Sequence, residues 1–180
     1  MDKVIGTSVV LVILLVALLA MFFAWRKRVA LQSHYAITPA GVVVAEQAKD
    51  ATEFSVLYVA TTLASEPLER IMLPGLSFRA QAQVLISPVG LSIKPAGEKT
   101  SFIPADQLIQ IHRSQVAIDR VVEKGGLTAI SWNAFDSVAQ SPIELTSYFR
   151  IASPQQRIDF DNALIASFPT VSASSKEATS

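Results

Sequence analysis

Hydrophobic positions fall into two regimes along this chain. From Val4 to Trp25 the apolar residues are continuous, with no charge over 22 positions, and Arg26-Lys27-Arg28 follows at once. From about Phe54 onward they come in short alternating runs separated by Pro, Gly, Ser and Asn. The first regime predicts a helix of roughly 33 Å, enough to cross a hydrocarbon core of about 30 Å. The second predicts short strands with one face turned to a core.

The apolar run reads as a retained transmembrane anchor. A cleaved leader has basic residues first, an apolar core of about 7 to 15 residues, then a small-x-small site. Here only Lys3, beside Asp2, precedes a longer core, and Phe22-Phe23-Ala24-Trp25 ends it. Trp25 stands at headgroup level, and Arg26, Lys27 and Arg28 outweigh Lys3, so the charge bias puts the amino terminus outside and the following domain in the cytoplasm. The expected place is therefore the cell membrane, single-pass. Three basic residues are fewer than the four to eight or so of an anionic-lipid site.

The rest divides into a juxtamembrane neck over 29–53, a β domain over 54–168 and a disordered tail over 169–180. The neck carries His34, Pro39 and Gly41, and Val42-Val43-Val44 has the make-up of a short strand. Seven strands are predicted: Phe54 to Leu63, with Val56, Tyr58 and Ala60 on one face; Phe78 to Ile86; Leu91 to Lys94; Thr100 to Ile103; Leu108 to Arg113; Leu127 to Trp132; and Ile143 to Ile151. Between the first two, Pro67 to Gly75 is an irregular link containing Arg70. Asn133 to Pro142 reads as a loose loop. Ser153-Pro154-Gln155-Gln156 then announces a helix with Ser153 as N-cap. Phe160, Leu164 and Phe168, flanked by Ile158 and Ile165, give it an apolar face to lay over the barrel mouth. Pro169 ends it, and the Ser/Ala/Thr-rich stretch beyond has little apolar surface to offset ordering.

Composition narrows the functions. The chain is neutral, with 15 basic and 15 acidic residues. Setting aside Asp2 and the four basic residues Lys3, Arg26, Lys27 and Arg28 leaves 11 against 14, a net of −3. That argues against nucleic acid as a partner. With no cysteine there is no disulfide, thiolate metal site or Cys nucleophile. His34 and His112 are too few to anchor a zinc site by themselves. Asp106, Asp119 and Ser114 lie near His112 in sequence, but no Gly-x-Ser-x-Gly elbow accompanies them. Gly125-Gly126 after Lys124 lacks the phosphate-loop pattern. Arg70 stands against Glu66 and Glu69, which argues against a phosphate pocket, and Arg79, Lys94 and Lys99 are scattered unless the fold gathers them. Phe102, Trp132, Tyr148 and Phe149 either line a docking groove or fill the core. No catalytic, cofactor or metal residues are assigned; the residues singled out are the membrane flank, Trp25 to Arg28.

Seven strands closed by one C-terminal helix are the plan of a pleckstrin-homology (PH)-like barrel. The chain also resembles actinobacterial single-pass membrane proteins with a PH-like domain, often catalogued as membrane or transporter-like. The likeness rests on Tyr58-Val59-Ala60-Thr61-Thr62, Arg70, Arg79-Ala80, Gly90-Leu91-x-Ile93, Phe102-Ile103-Pro104, Gly126-Leu127-x-x-Ile130-x-Trp132 and Thr146-x-x-Phe149-Arg150. It covers about Phe54 to Ile165. The loop after Trp132 departs from the family's tight Gly turn and leaves the last hairpin's register open. The resemblance implies a seven-stranded barrel capped by a helix and supplies no catalytic residues.

Two functions fit. One is a non-enzymatic interaction module: a cytosolic PH-like domain held at the inner leaflet to dock a protein partner. The other is an accessory subunit of a membrane transport or respiratory assembly that binds through its transmembrane helix. The expected partners are the bilayer and a protein, with no small-molecule substrate evident. A single span cannot by itself build a transport path.

Overall fold

The computed structural model describes residues 2–32, 35–36, 51–114, 116–117, 120–121 and 126–174; side chains are described over 10–24, at 26, and over 51–114 and 126–171. The chain forms two units, Met1–His34 and Tyr35–Ser180. His34, Asp119, Lys124, Gly125 and the Val42-Val43-Val44 run lie outside the described residues.

The first unit is one helix, α1, Asp2–Gln32. Its described side chains are apolar throughout 10–24, and Arg26 follows them. The large ones are all exposed, from 47% at Leu19 and Phe22 to 67% at Met21. Among the described residues no helix is long and apolar enough to cross a membrane. The 22-residue span expected from the sequence extends past the described side chains at both ends.

The second unit is mainly β. In chain order it comprises β1 (Tyr35–Ala36), β2 (Thr52–Leu63), β3 (Ala80–Ser87), β4 (Gly90–Pro95), β5 (Ser101–Pro104), a 3-10 turn (Ala105–Gln107), β6 (Leu108–Ser114), β7 (Val116–Ala117), β8 (Arg120–Val121), β9 (Leu127–Asp136), β10 (Ser141–Arg150), helix α2 (Pro154–Ser167) and β11 (Ser172–Ser174). Seven antiparallel strands run in the order β6-β9-β10-β2-β3-β4-β5, matching the seven expected. β1 pairs with the far end of β9, β11 adds in parallel to β6, and β7 and β8 form their own small ladder.

The end strands β5 and β6 are consecutive in sequence, joined only by Ala105–Gln107, so the sheet must curl back on itself. No ladder joins them among the described residues. The expected barrel is therefore open. Its corner has a physical cause: Pro104 has no N–H to extend the β5 ladder, and Ala105 N donates to Val89 O, holding the chain at the β3–β4 turn.

Alternation along the strands sets the core. Val56 and Tyr58 on β2 pack with Val84, Ile86, Ile93, Ile130, Trp132 and Phe149. Leu127, Ala129 and Tyr148 lie in a second, smaller cluster. A register shift between Tyr148 and Phe149, where β10 meets β2, lets these sequence neighbours serve different clusters.

The link after β2 is no surface loop. Ile71, Leu73 and Leu76 are buried in the main core. Arg70 holds it, donating from Nη2 to Val59 O at 2.6 Å and from Nη1 to Ser77 O at 3.3 Å. Glu98 caps its end, accepting from Ser77 N at 3.1 Å and Phe78 N at 2.8 Å.

The loose loop expected over Asn133 to Pro142 is instead a hairpin. Asn133 to Asp136 extend β9, and Asp136 pairs with Ser141 across a four-residue turn, Ser137 to Gln140. Asp136 Oδ1 accepts from Val138 N at 2.8 Å and Ala139 N at 3.0 Å, while Gln140 adopts φ 53. An Asp side chain does the work expected of Gly. Pro142 fits because β10 begins pairing with β2 only at Leu145, leaving one side of the strand open there.

Helix α2 starts as predicted: Ser153 Oγ accepts from Gln156 N at 3.4 Å and Pro154 takes the first turn. Phe160, Leu164 and Phe168 are buried. Phe160 meets Phe54 edge-on at 5.2 Å and lies 6.1 Å from Phe149. Burial of this stripe contributes about 1.5–3 kcal/mol per large side chain. Ile158 and Ile165, expected to widen the apolar face, are exposed. At about 100° per residue they sit roughly 100–120° round the helix from the centre of the stripe.

In the stretch expected to be disordered, the backbone of Ser172–Ser174 pairs with β6. The helix turns back through Phe168, whose carbonyl accepts from Val171 N at 3.0 Å, and this delivers the chain to the sheet edge.

Candidate functional site

An open sheet has two ends, and they differ. β5 has four residues, finishes in Pro104 and lies against the packed link, where Ser101 Oγ donates to Pro74 O at 3.1 Å. β6 has seven residues, with β9 on one side and, among the described residues, Ser172–Ser174 on the other.

β6 is fastened to the helix by a charged contact. Arg113 on β6 donates to Asp161 on α2, and Thr128 Oγ1 on β9 donates to the other carboxylate oxygen at 2.9 Å. Burial raises the Asp161 pKa; the Thr128 hydrogen bond and the positive charges of Arg113 and Arg157 act against that rise. One carboxylate thus joins β6, β9 and α2, with two guanidinium groups close by. None of these partners is near another in sequence, except Arg157 and Asp161 on the same helix.

Ile111 on β6 is buried, while Gln110 and His112 are half-buried. His112 Nδ1 is buried with no hydrogen-bond partner among the described residues. Burial lowers the His112 pKa, with Glu144 pulling weakly the other way. Asp106 lies in the 3-10 turn before β6, and Ser114 ends β6. Among the described residues no group of three His, Cys, Asp or Glu side chains could hold a metal ion.

The other residues singled out in the sequence resolve differently. Phe102, Trp132, Tyr148 and Phe149 are all at most 5% exposed, so they fill the interior and form no docking groove. Arg70 is committed to backbone carbonyls. Glu66 and Glu69 are exposed neighbours, and their proximity raises the Glu66 pKa, chiefly through a hydrogen bond between them. Lys94 lines a depression of about 290 Å³ with Glu53, Gln83, Leu85, Ser92 and Thr100; Arg79 and Lys99 do not join it. Its one base and one acid offset each other. Of the membrane flank, Arg26 is exposed, and the side chains of Trp25, Lys27 and Arg28 lie outside the described residues.

This order of strands, curled and closed by a C-terminal helix, coincides with a family match. Residues 37–164 match the family described as Bacterial PH domain-like. The chain belongs to that family. No curated protein matches it. Among solved structures the chain is similar to one in the structure of the Spt16D Pob3N heterodimer, with 12% identity and a TM-score of 0.39, over 74% of this chain and 58% of that one. It thus spans less than two thirds of that chain's length. In this PH-like domain, Asp161, Thr128 and Glu98 are the tying residues that sequence reasoning missed. Arg70 stood out, by contrast, because the resemblance includes it.

Proposed function

We propose that this chain is a membrane-anchored, non-enzymatic interaction module: a PH-like domain at the cytoplasmic face of the cell membrane, held by α1 with its amino terminus outside, that docks a protein partner. The observation that carries it is α1 itself. Over residues 10–24 the helix is apolar on every side, and its large side chains are exposed. A helix with no polar face needs lipid or protein around it. Trp25 and the basic residues after it then supply the interfacial anchor and the inward charge bias.

The domain supports docking over chemistry. Phe102, Trp132, Tyr148 and Phe149 are spent on the interior, the depression around Lys94 is small and charge-balanced, and a sheet edge is the kind of surface to which an extended segment adds.

Alkaline extraction of membranes, with protease digestion of intact and permeabilised cells, tests this reading. A tag at Ser180 should stay with the pellet and be cleaved only after permeabilisation. Release by alkali, or cleavage in intact cells, overturns it.

A further inference from the structure

We propose that the outer face of β2, β3 and β4 is a docking surface for a partner protein, seating an extended segment with a basic, an apolar and an acidic side chain at alternate positions. This rests on the interaction-module reading and deepens it by naming the surface and the partner's chemistry.

Alternation decides which side chains stand on this face. Phe54, Val84 and Ile93 belong to the main core, so their strand neighbours Glu53, Leu85 and Ser92 point the other way. Those three lie opposite one another across β2, β3 and β4, and Gln83 opposite Lys94 forms the next step along. With Thr100 they line the depression of about 290 Å³. Glu53 stands on its β2 side and Lys94 on its β4 side, with Leu85 of β3 between them and Ser92 buried beneath. On β9 and β10 the corresponding outward positions are closed, since Ala129, Ser131, Thr146 and Tyr148 are all buried.

The charges, the apolar residue between them and their spacing each point to the same occupant. Glu53 and Lys94 are exposed, and among the described residues neither makes an ion pair or a side-chain hydrogen bond, so each is free to take an opposite charge. Leu85 is half-buried on an otherwise polar face and offers an apolar contact midway. Glu53 and Lys94 are two strand spacings apart across the sheet and one two-residue step apart along it, about 12 Å between Cα atoms. Side chains at positions i and i+4 of an extended segment are about 14 Å apart and share a face with the one at i+2, which then lies over Leu85. Size favours a protein over a small molecule. Small-molecule sites are clefts of about 300–1,000 Å³ that enclose their ligand, whereas this depression is smaller and lies on a sheet face, where the side chains of a docked segment fit.

The test uses the full chain in detergent micelles and its variants Glu53→Gln and Lys94→Gln, each checked for unchanged thermal unfolding. The probe is a blocked synthetic peptide, Ser-Lys-Ser-Val-Ser-Glu-Ser, with two counterparts carrying Gln in place of its Lys or its Glu. Titration followed by amide NMR should give saturable shifts at Gln83, Leu85 and Ser92. The native chain should bind the probe roughly threefold more tightly than either counterpart, the worth of one exposed ion pair. Glu53→Gln should abolish the preference for Lys alone, and Lys94→Gln the preference for Glu alone. Absence of saturable shifts at these amides overturns the site, and preferences unchanged by the variants overturn the pairing. Equal or tighter binding of 6-aminohexanoic acid would assign the depression to a small zwitterion and overturn the protein reading. Membrane extraction and protease access are read separately, so loss of the anchor reading leaves these results standing, and the reverse.

Discussion

Trp132 Nε1 donates to Ser147 Oγ across 3.1 Å in the interior of the β domain, both side chains fully buried. Ser147 Oγ also lies 2.8 Å from Thr61 Oγ1, which lies 2.9 Å from the Tyr58 hydroxyl, and Tyr58 in turn donates to Leu76 O at 2.8 Å. This chain of hydrogen bonds runs from β9 through β10 and β2 to the buried link. It lets two large amphipathic rings fill the core without stranding a polar atom.

Ser147→Ala breaks that chain in the middle, leaving the buried Trp132 N–H without its acceptor. The expected loss is about 1–3 kcal/mol of unfolding free energy, read from urea titration. A loss below about 0.5 kcal/mol would mean that the network carries no weight.

Asp136 sets the last hairpin. Asp136→Ala removes the acceptor of two backbone N–H groups and should cost roughly 1–3 kcal/mol. Amide exchange should quicken at Val138 and Ala139 while the core strands stay protected.

Two glycines with positive φ should respond unequally to alanine. At Gly90, with φ +153, a Cβ would lie 2.4 Å from Ile103 O and 2.6 Å from the Phe102 ring, so β4 and β5 would have to separate. At Gly97, with φ +82, a Cβ meets nothing within 4 Å. Gly97→Ala should cost about 1 kcal/mol from backbone conformation alone. Gly90→Ala should cost clearly more, and equal thermal shifts would contradict the close packing of these strands.

His112 gives the domain a pH dependence. Burial lowers its pKa from the ordinary 6.5, so between the lowered value and 6.5 the unfolded chain binds more protons than the folded one. The stability contribution is complete above 6.5 and is lost as pH falls through the folded value. Replacing the group by His112→Gln should flatten that part of a stability-against-pH profile. An unchanged slope would place the sensitivity elsewhere.

How much of this was legible in the sequence depended on how local the cause was. All seven principal strands could be read because their alternation and bounding turns lie within a few residues. The start of α2 was equally clear, since Ser153, Pro154 and Gln156 act on one turn. The Asp136 hairpin was missed because the turn uses an Asp side chain and a left-handed Gln140 where Gly is the usual signal. Burial of Ile71, Leu73 and Leu76 was hidden by Pro67 and Pro74-Gly75, which suggested a surface link. The β6 edge could not be located at all. It depends on Arg113 meeting Asp161 across 48 residues and on a Ser/Ala segment that pairs through its backbone, which leaves no side-chain pattern to read.

The most direct test of the central claim is proximity labelling in intact cells from an enzyme fused at Ser180, read by mass spectrometry. A docking module at the inner face predicts cytoplasmic neighbours with at least one recurrent protein, retained when Val4 to Trp25 is exchanged for an unrelated apolar helix. Labelling confined to extracytoplasmic proteins, or neighbours lost on exchanging the helix alone, would contradict it.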